Sequence, residues 1–177
     1  MASTQNTYQD TYELFCEMIN SLSEINEIDH MFRINEETSD ASVFCAEILL
    51  TVSNPCFCAN NLQMQLFPCI LTICLEWNYT PEYNSMDKIF PYEITKNEVH
   101  YILFGIIVHQ GDRSPHQLDD HYDFHHVSFI RQKNANANIQ IVKFDDSRVT
   151  VLTERTASLQ ITKKAGGRFL LFYFKID

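Results

Sequence analysis

Glycine is scarce, with 4 residues in 177. Loops that wrap phosphates depend on it, because only a residue without a Cβ lets the backbone come that close to an anion. Neither G-x-x-x-x-G-K-[ST] nor G-x-G-x-x-G occurs, so the common nucleotide-binding loops are excluded. Positive charge is in deficit too: 13 Lys and Arg stand against 23 Asp and Glu, a formal charge of -10. The acidic residues are spread along the chain, so its surface repels phosphate backbones and direct nucleic-acid binding is not expected. No apolar run approaches ~18 residues, and MASTQNTYQD at the amino terminus lacks the basic-then-apolar pattern of a secretory signal. The expectation is therefore neither secretion nor a membrane span, and a cytoplasmic or nuclear protein whose 6 Cys are reduced thiols.

What is present is aromatic and apolar. The chain carries 13 Phe and 8 Tyr, and 45% of it is hydrophobic, enough for the core of one domain. Residues 1–7 read as a flexible terminus and 8–177 as a single domain. From Tyr8 to Ile28, Tyr12, Phe15, Met18, Ile19, Leu22 and Ile25 recur mostly at spacings of three and four. That is one face of an amphipathic helix of about five or six turns.

Strands follow. Val43 to Val52, Leu66 to Trp77, Tyr101 to His109, Val127 to Arg131, Ile139 to Phe144, Val149 to Leu152 and Phe169 to Phe174 are short apolar runs bounded by turn residues. The polar NANAN of Asn134 to Asn138 joins two of them as a hairpin tip, and Ser158 to Gly167 reads either way. A helix followed by short strands predicts an α+β fold with a mainly antiparallel sheet.

Several of these segments carry a resemblance. His125-His126-Val127-Ser128-Phe129-Ile130-Arg131, then Phe144-Asp145-Asp146-Ser147-x-Val149, resemble the His strand and the Phe-Asp-Asp-Ser-x-Val strand of ubiquitin-specific proteases, papain-like cysteine peptidases. Ile141 stands where that family has Trp. Tyr101 to Gly111 is similar to the strand ending Val-His-x-Gly, and Phe67 to Leu75 to the Leu-Pro-x-x-Leu strand, with Glu76-Trp77 in place of Lys-Arg. Phe169 to Phe174 fits the terminal strand, and Gln9-Asp10-Thr11-Tyr12-Glu13-Leu14 resembles the opening of a family helix. The resemblance covers the carboxyl-terminal part of the domain and starts downstream of the family's Gly-x-Thr-Cys-Tyr box, for which this sequence has no counterpart.

The resemblance implies His125 as proton acceptor and Asp145 as the group that orients it. His121-Tyr122 is a competing match for the His-Tyr pair; His125 is preferred because a strand in the family's register follows it. Asp120 or Phe124 replaces the family's Gly before the His, and a side chain there crowds the approach. A cysteine protease also needs a thiolate, and the resemblance implies one at the start of a helix, where the dipole lowers its pKa. Of Cys16, Cys45, Cys56, Cys58, Cys69 and Cys74, none has that context: Cys16 is inside the first helix, and Cys45, Cys69 and Cys74 read as small core hydrophobes. His125 and Asp145 are then remnants, and the expected function is a catalytically inactive scaffold; the alternative is an active deubiquitinase with a relocated nucleophile or one completed by a second chain.

No cofactor is expected. Cys45, Cys56 and Cys58 form C-x-C with a lone third thiol rather than paired C-x-x-C knuckles, so buried thiols explain them better than zinc. His109, His116, His121, His125 and His126 cluster in sequence, but successive strand residues point to opposite faces and do not share an ion. Asp119-Asp120 and Asp145-Asp146 read as a solvated loop and a turn. Trp77, Tyr79 and Tyr83, at the end of the long strand and in NYTPEYNS, are candidate protein-binding residues, since Trp and Tyr bring large contact area at small entropic cost. The front part of the family fold has no counterpart here, which leaves one sheet face apolar and predicts a protein partner or a homodimer, with ubiquitin among the candidates.

Overall fold

A computed structural model describes residues 11–22, 25–36, 44–51, 57–77, 91–110, 125–133, 138–162 and 168–176. Helices α1 (Thr11–Leu22) and α2 (Asn26–Phe32) precede β1 (Ala46–Leu50), a short 3-10 turn (Ala59–Asn61), β2 (Ile70–Trp77), β3 (Glu93–Lys96) and β4 (Val99–Gln110). Then come β5 (His125–Lys133), β6 (Ile139–Asp145), β7 (Arg148–Leu152), α3 (Glu154–Thr162) and β8 (Arg168–Ile176). The fold is α+β, as expected.

The strands form one 8-stranded sheet in the order β1-β2-β8-β4-β5-β6-β7, with β3 on β4. Every pairing is antiparallel except β1 with β2. The first four residues of β4 pair with β3 and its last six with β5, so the two strands share one edge of β4 in succession. Two-residue turns explain much of this. Asn97 and Glu98 both have positive φ, 49° and 66°, the conformation that matches a turn to the twist of a hairpin. Asp146, at φ 51°, turns β6 into β7.

Alternation along the strands sorts side chains onto two faces. The first carries Leu71, Ile73 and Leu75 of β2, Phe169, Leu171 and Tyr173 of β8, Val108 of β4, Val127 and Phe129 of β5 and Ile141 of β6, all in the main core with Ala157 and Ile161 of α3. Tyr101 and Tyr173 are buried there, and their hydroxyls donate to the Pro68 carbonyl at 3.1 Å and the Pro91 carbonyl at 2.9 Å. Arg131 holds α3 near the sheet, stacked over Tyr92 and 3.5 Å from Glu154. On the second face, Phe15, Cys16 and Ile19 of α1 pack with Phe44, Cys45, Cys74 and Leu170.

The single long helix read from periodicity is two. Ile25 is extended, φ -88° and ψ 106°, and the chain redirects there so that Phe32 of α2 meets Phe15 of α1 edge-on at 6.1 Å. A continuous helix would carry Phe32 away from the sheet. Strand β3, EITK, is an addition to the sequence reading, and Ser158 to Gly167, which read either way, contains the end of α3. Among the described residues no helix is long and apolar enough to cross a membrane.

Two local interactions give modest, checkable stabilities. Thr153 caps α3: its hydroxyl accepts from the Thr156 amide at 3.2 Å. Thr153→Ala is expected to cost about 1 kcal/mol in urea unfolding. Asp29 and Arg33 pair across one turn, with Nε donating to Oδ2 at 2.8 Å. That hydrogen bond, opposed by partial burial, holds the Asp29 carboxyl below its usual value. A depressed carboxyl stabilises fully above its unfolded pKa, and that contribution fades as pH falls through the folded one. Asp29→Asn should therefore cost under about 1 kcal/mol at neutral pH and progressively less as unfolding is repeated at acid pH; an equal cost at both would disprove the ion-pair account.

Candidate functional site

β5 begins at His125, which pairs with Gln110 at the end of β4. The next pairs are His126 with His109 and Val127 with Val108. On the other side of β5, Ser128 pairs with Phe144 and Ile130 with Val142. This register gives His125 the parity of Val127 and Phe129, and gives Asp145 the parity of Lys143 and Ile141. His125 and Asp145 therefore belong to the same, core-side parity of adjacent strands, near one end of the sheet. The His125 side chain lies outside the described residues. So do residues 111–124, including His116 and the competing His121.

Asp145 is described. Its Oδ2 accepts from the Lys143 ammonium at 2.6 Å, and its residue pairs with Arg148 across the hairpin. Two residues apart on one strand, Lys143 and Asp145 share a face, so this pair follows from the local geometry. An ammonium on the carboxylate competes with any imidazole for its lone pairs. Sequence reading missed Lys143; the signal was its place two residues before Asp145.

Three of the described thiols lie elsewhere. Cys16, Cys45 and Cys74 are buried together under α1. Cys74 pairs with Leu170, Leu170 with Ile107, and Ile107 with Ser128, which is the parity opposite to His125 and Asp145. The sheet itself separates these thiols from the His/Asp side. Burial, the largest cause, pushes the Cys45 thiol well above its ordinary pKa, the reverse of what a nucleophile needs. Cys16 lies within α1, not at its start.

Cys69 differs from expectation. It precedes β2 rather than lying within it, and it is exposed, with its carbonyl accepting from the Lys175 amide at 2.9 Å. The adjacent row runs from Ile70 through Phe174 to Ile102 of β4. His125 pairs at Gln110 of that same strand, so Cys69, one row further out, sits roughly 30 Å away along the sheet at about 3.3 Å per residue. Cys58 is exposed next to the 3-10 turn, so it is not the buried thiol that the sequence implied. Cys56 lies outside the described residues. Among the described residues no group of three His, Cys, Asp or Glu is placed to hold a metal ion.

Of the three candidate binding residues, Trp77 ends β2, where its backbone pairs with Leu50. Its side chain, and all of Tyr79 and Tyr83, lie outside the described residues. What the sequence did not locate is an exposed apolar surface on the second sheet face. One row runs Ile130, Val142, Val151 and the next Ser128, Phe144, Val149. Ile130, Phe144, Val149 and Val151 are all exposed, and Phe174 of β8 is exposed as well.

With this geometry in hand, comparison with known proteins is informative about the family. The family model described as ubiquitin carboxyl-terminal hydrolase matches residues 3–173. No curated protein matches. Among solved structures, the Saccharomyces cerevisiae PAN2 pseudoubiquitin-hydrolase is similar at 17% identity and a TM-score of 0.43, over 64% of this chain and 36% of that one. An essential yeast splicing factor is similar at 14% identity and a TM-score of 0.45, over 94% of this chain and 47% of that one. The chain thus spans less than half the length of these solved relatives.

Proposed function

This chain belongs to the ubiquitin carboxyl-terminal hydrolase family, and we propose that it is a non-catalytic member that acts by binding a protein partner. The observation that carries the reading is the separation of four described thiols from the His/Asp side. Cys16, Cys45 and Cys74 lie on the other face of the sheet, and Cys69 lies at its other end. Cysteine protease chemistry needs thiolate and imidazole within hydrogen-bond reach, with a third group on the imidazole. Here the third group, Asp145, is engaged by Lys143.

The second line of support is the apolar sheet face. Apolar rows left in water favour association, and the aromatic residues Trp77, Tyr79 and Tyr83, which end β2 or follow it in the sequence, are a second candidate contact. Ubiquitin is one candidate partner. A chain of charge -10 is not expected to take nucleic acid directly, and we place its action in the cytoplasm or nucleus, away from membranes.

The test uses ubiquitin carrying a thiol-reactive warhead at its carboxyl terminus. Intact-mass measurement is expected to find no adduct, and hydrolysis of a fluorogenic ubiquitin ester or amide should equal the buffer blank. An adduct at one cysteine that disappears in His125→Ala would overturn the proposal and make the protein a deubiquitinase with a relocated nucleophile. Activity that appears only when a second chain is added would overturn it equally.

A further inference from the structure

We propose that β7 is a self-pairing edge, through which two copies of this chain join their sheets antiparallel about Thr150. Strand β7 ends the sheet order, with β6 on one side and no strand on the other among the described residues. Its hairpin fixes which backbone groups are already used. Asp145 and Arg148 close a two-residue turn, and the closing pair of such a hairpin is hydrogen-bonded. Alternation then puts Thr150 and Leu152 in hydrogen-bonded pairs with Lys143 and Ile141. The N–H and C=O groups of Val149 and Val151 are left pointing outward from the sheet.

This outward row is complementary to itself. With two antiparallel copies of β7 related by a two-fold axis at Thr150, Val149 stands opposite Val151 of the second copy, and Val151 opposite Val149. Each of these pairs brings outward donors and acceptors into the hydrogen-bonded arrangement, so both are satisfied in one register. Moving the strands by two residues in either direction would require Ser147 of the turn or Thr153, which caps α3, to join the ladder. The length of β7 therefore selects a symmetric partner.

The side chains fit the same occupant. Val149 and Val151 are 62% and 60% exposed on the apolar face, and across the dyad they become directly opposed β-branched pairs. Charge does not oppose pairing at this edge. The chain carries -10 overall, which repels a second copy, yet Arg148 to Leu152 contains no carboxylate and one guanidinium. The devices that usually block edge pairing are missing from β7: it has no proline, no bulge, and no charge among its central residues.

Sedimentation or light-scattering mass across a concentration series tests the proposal on the intact chain. The expected result is a reversible dimer. Val151→Pro removes one outward N–H without touching the β6 ladder and should weaken dimerisation by about tenfold or more. Val149→Lys with Val151→Lys, at exposed positions, should do the same with circular dichroism unchanged and melting equal to that of the wild type diluted to monomer. Thr150→Cys should form a disulfide-linked dimer under mild oxidation, because residues facing each other across the axis in a non-hydrogen-bonded pair sit about 4.5 Å apart at Cα; Val149→Cys should not. A monomer at all concentrations overturns the proposal, as does a dimer unaffected by proline or lysine and not trapped by Thr150→Cys. A monomer that captures an extended peptide from another protein at this edge overturns it too. These outcomes do not depend on whether ubiquitin is hydrolysed.

Discussion

Phe169→Ala is expected to lower unfolding free energy by about 3–5 kcal/mol, the largest single effect predicted here. Phe169 lies on β8, which is central to the sheet because β2 and β4 pair with its two sides. Its row runs from Leu75 through Phe169 to Val108 and on to Val127, and every member is fully or almost fully buried. Truncation removes the transfer free energy of a ring and leaves a cavity whose walls are strands, and strands paired on both sides collapse poorly into a void. Urea unfolding followed by circular dichroism would measure it, with the slope against denaturant unchanged if only the folded state is altered. Phe174, five residues on, is the internal comparison. It belongs to the same strand but lies half exposed on the second face, so Phe174→Ala should cost under about 1 kcal/mol. Equal costs at the two positions would mean that the faces are assigned wrongly.

The second large effect has the opposite sign. Thr72 is fully buried in β2, and its hydroxyl has no hydrogen-bond partner among the described residues. It pairs with Phe172 on the face covered by α1 and α2. A buried hydroxyl without a partner loses its water and gains nothing in return, a penalty of about 1–3 kcal/mol. Valine has nearly the same shape and no such penalty, and it suits a strand at least as well. Thr72→Val is therefore expected to stabilise by about 1 kcal/mol or more and to raise the melting temperature by about 2–4 °C. Thr72→Ala separates the causes: it also removes the hydroxyl but leaves a hole, so it should not stabilise. A loss of stability in Thr72→Val would show that the hydroxyl has a partner after all and would overturn the prediction.

Association and stability meet at the second sheet face. The register names the exposed apolar residues there: Ile130, Phe144, Val149 and Val151. Alternation in Arg148 to Leu152 was readable as a strand, but alternation alone does not say which set of side chains faces the core. In β6 both sets contain apolar residues, Ile141 and Lys143 on one side and Val142 and Phe144 on the other. The choice falls to what covers each face. α3 covers the first near β6 and β7, through Ala157 and Ile161.

What the sequence determined by itself is local. Seven strands were legible because apolar runs bounded by turn residues have a period that survives out of context. The turn at Asp146 was legible because Asp tolerates positive φ, and the family was legible because its motifs kept their order from Phe67 to Phe174. β3 was not legible, since Glu93–Lys96 is short and half polar and becomes a strand only when Val99–Ile102 folds back on it. The break at Ile25 was hidden for a similar reason: periodicity continues through it, and only the docking of Phe32 on Phe15 rewards the redirection. Tertiary structure alone decided where the chemistry stands. Cys16, Cys45 and Cys74 are far apart in the chain yet meet under α1, while His125 and Asp145 take the other parity of the same sheet. Such relations follow from strand order, with β8 from the chain's end inserted between β2 and β4, and pairings at that sequence separation leave no period or spacing for a sequence to display.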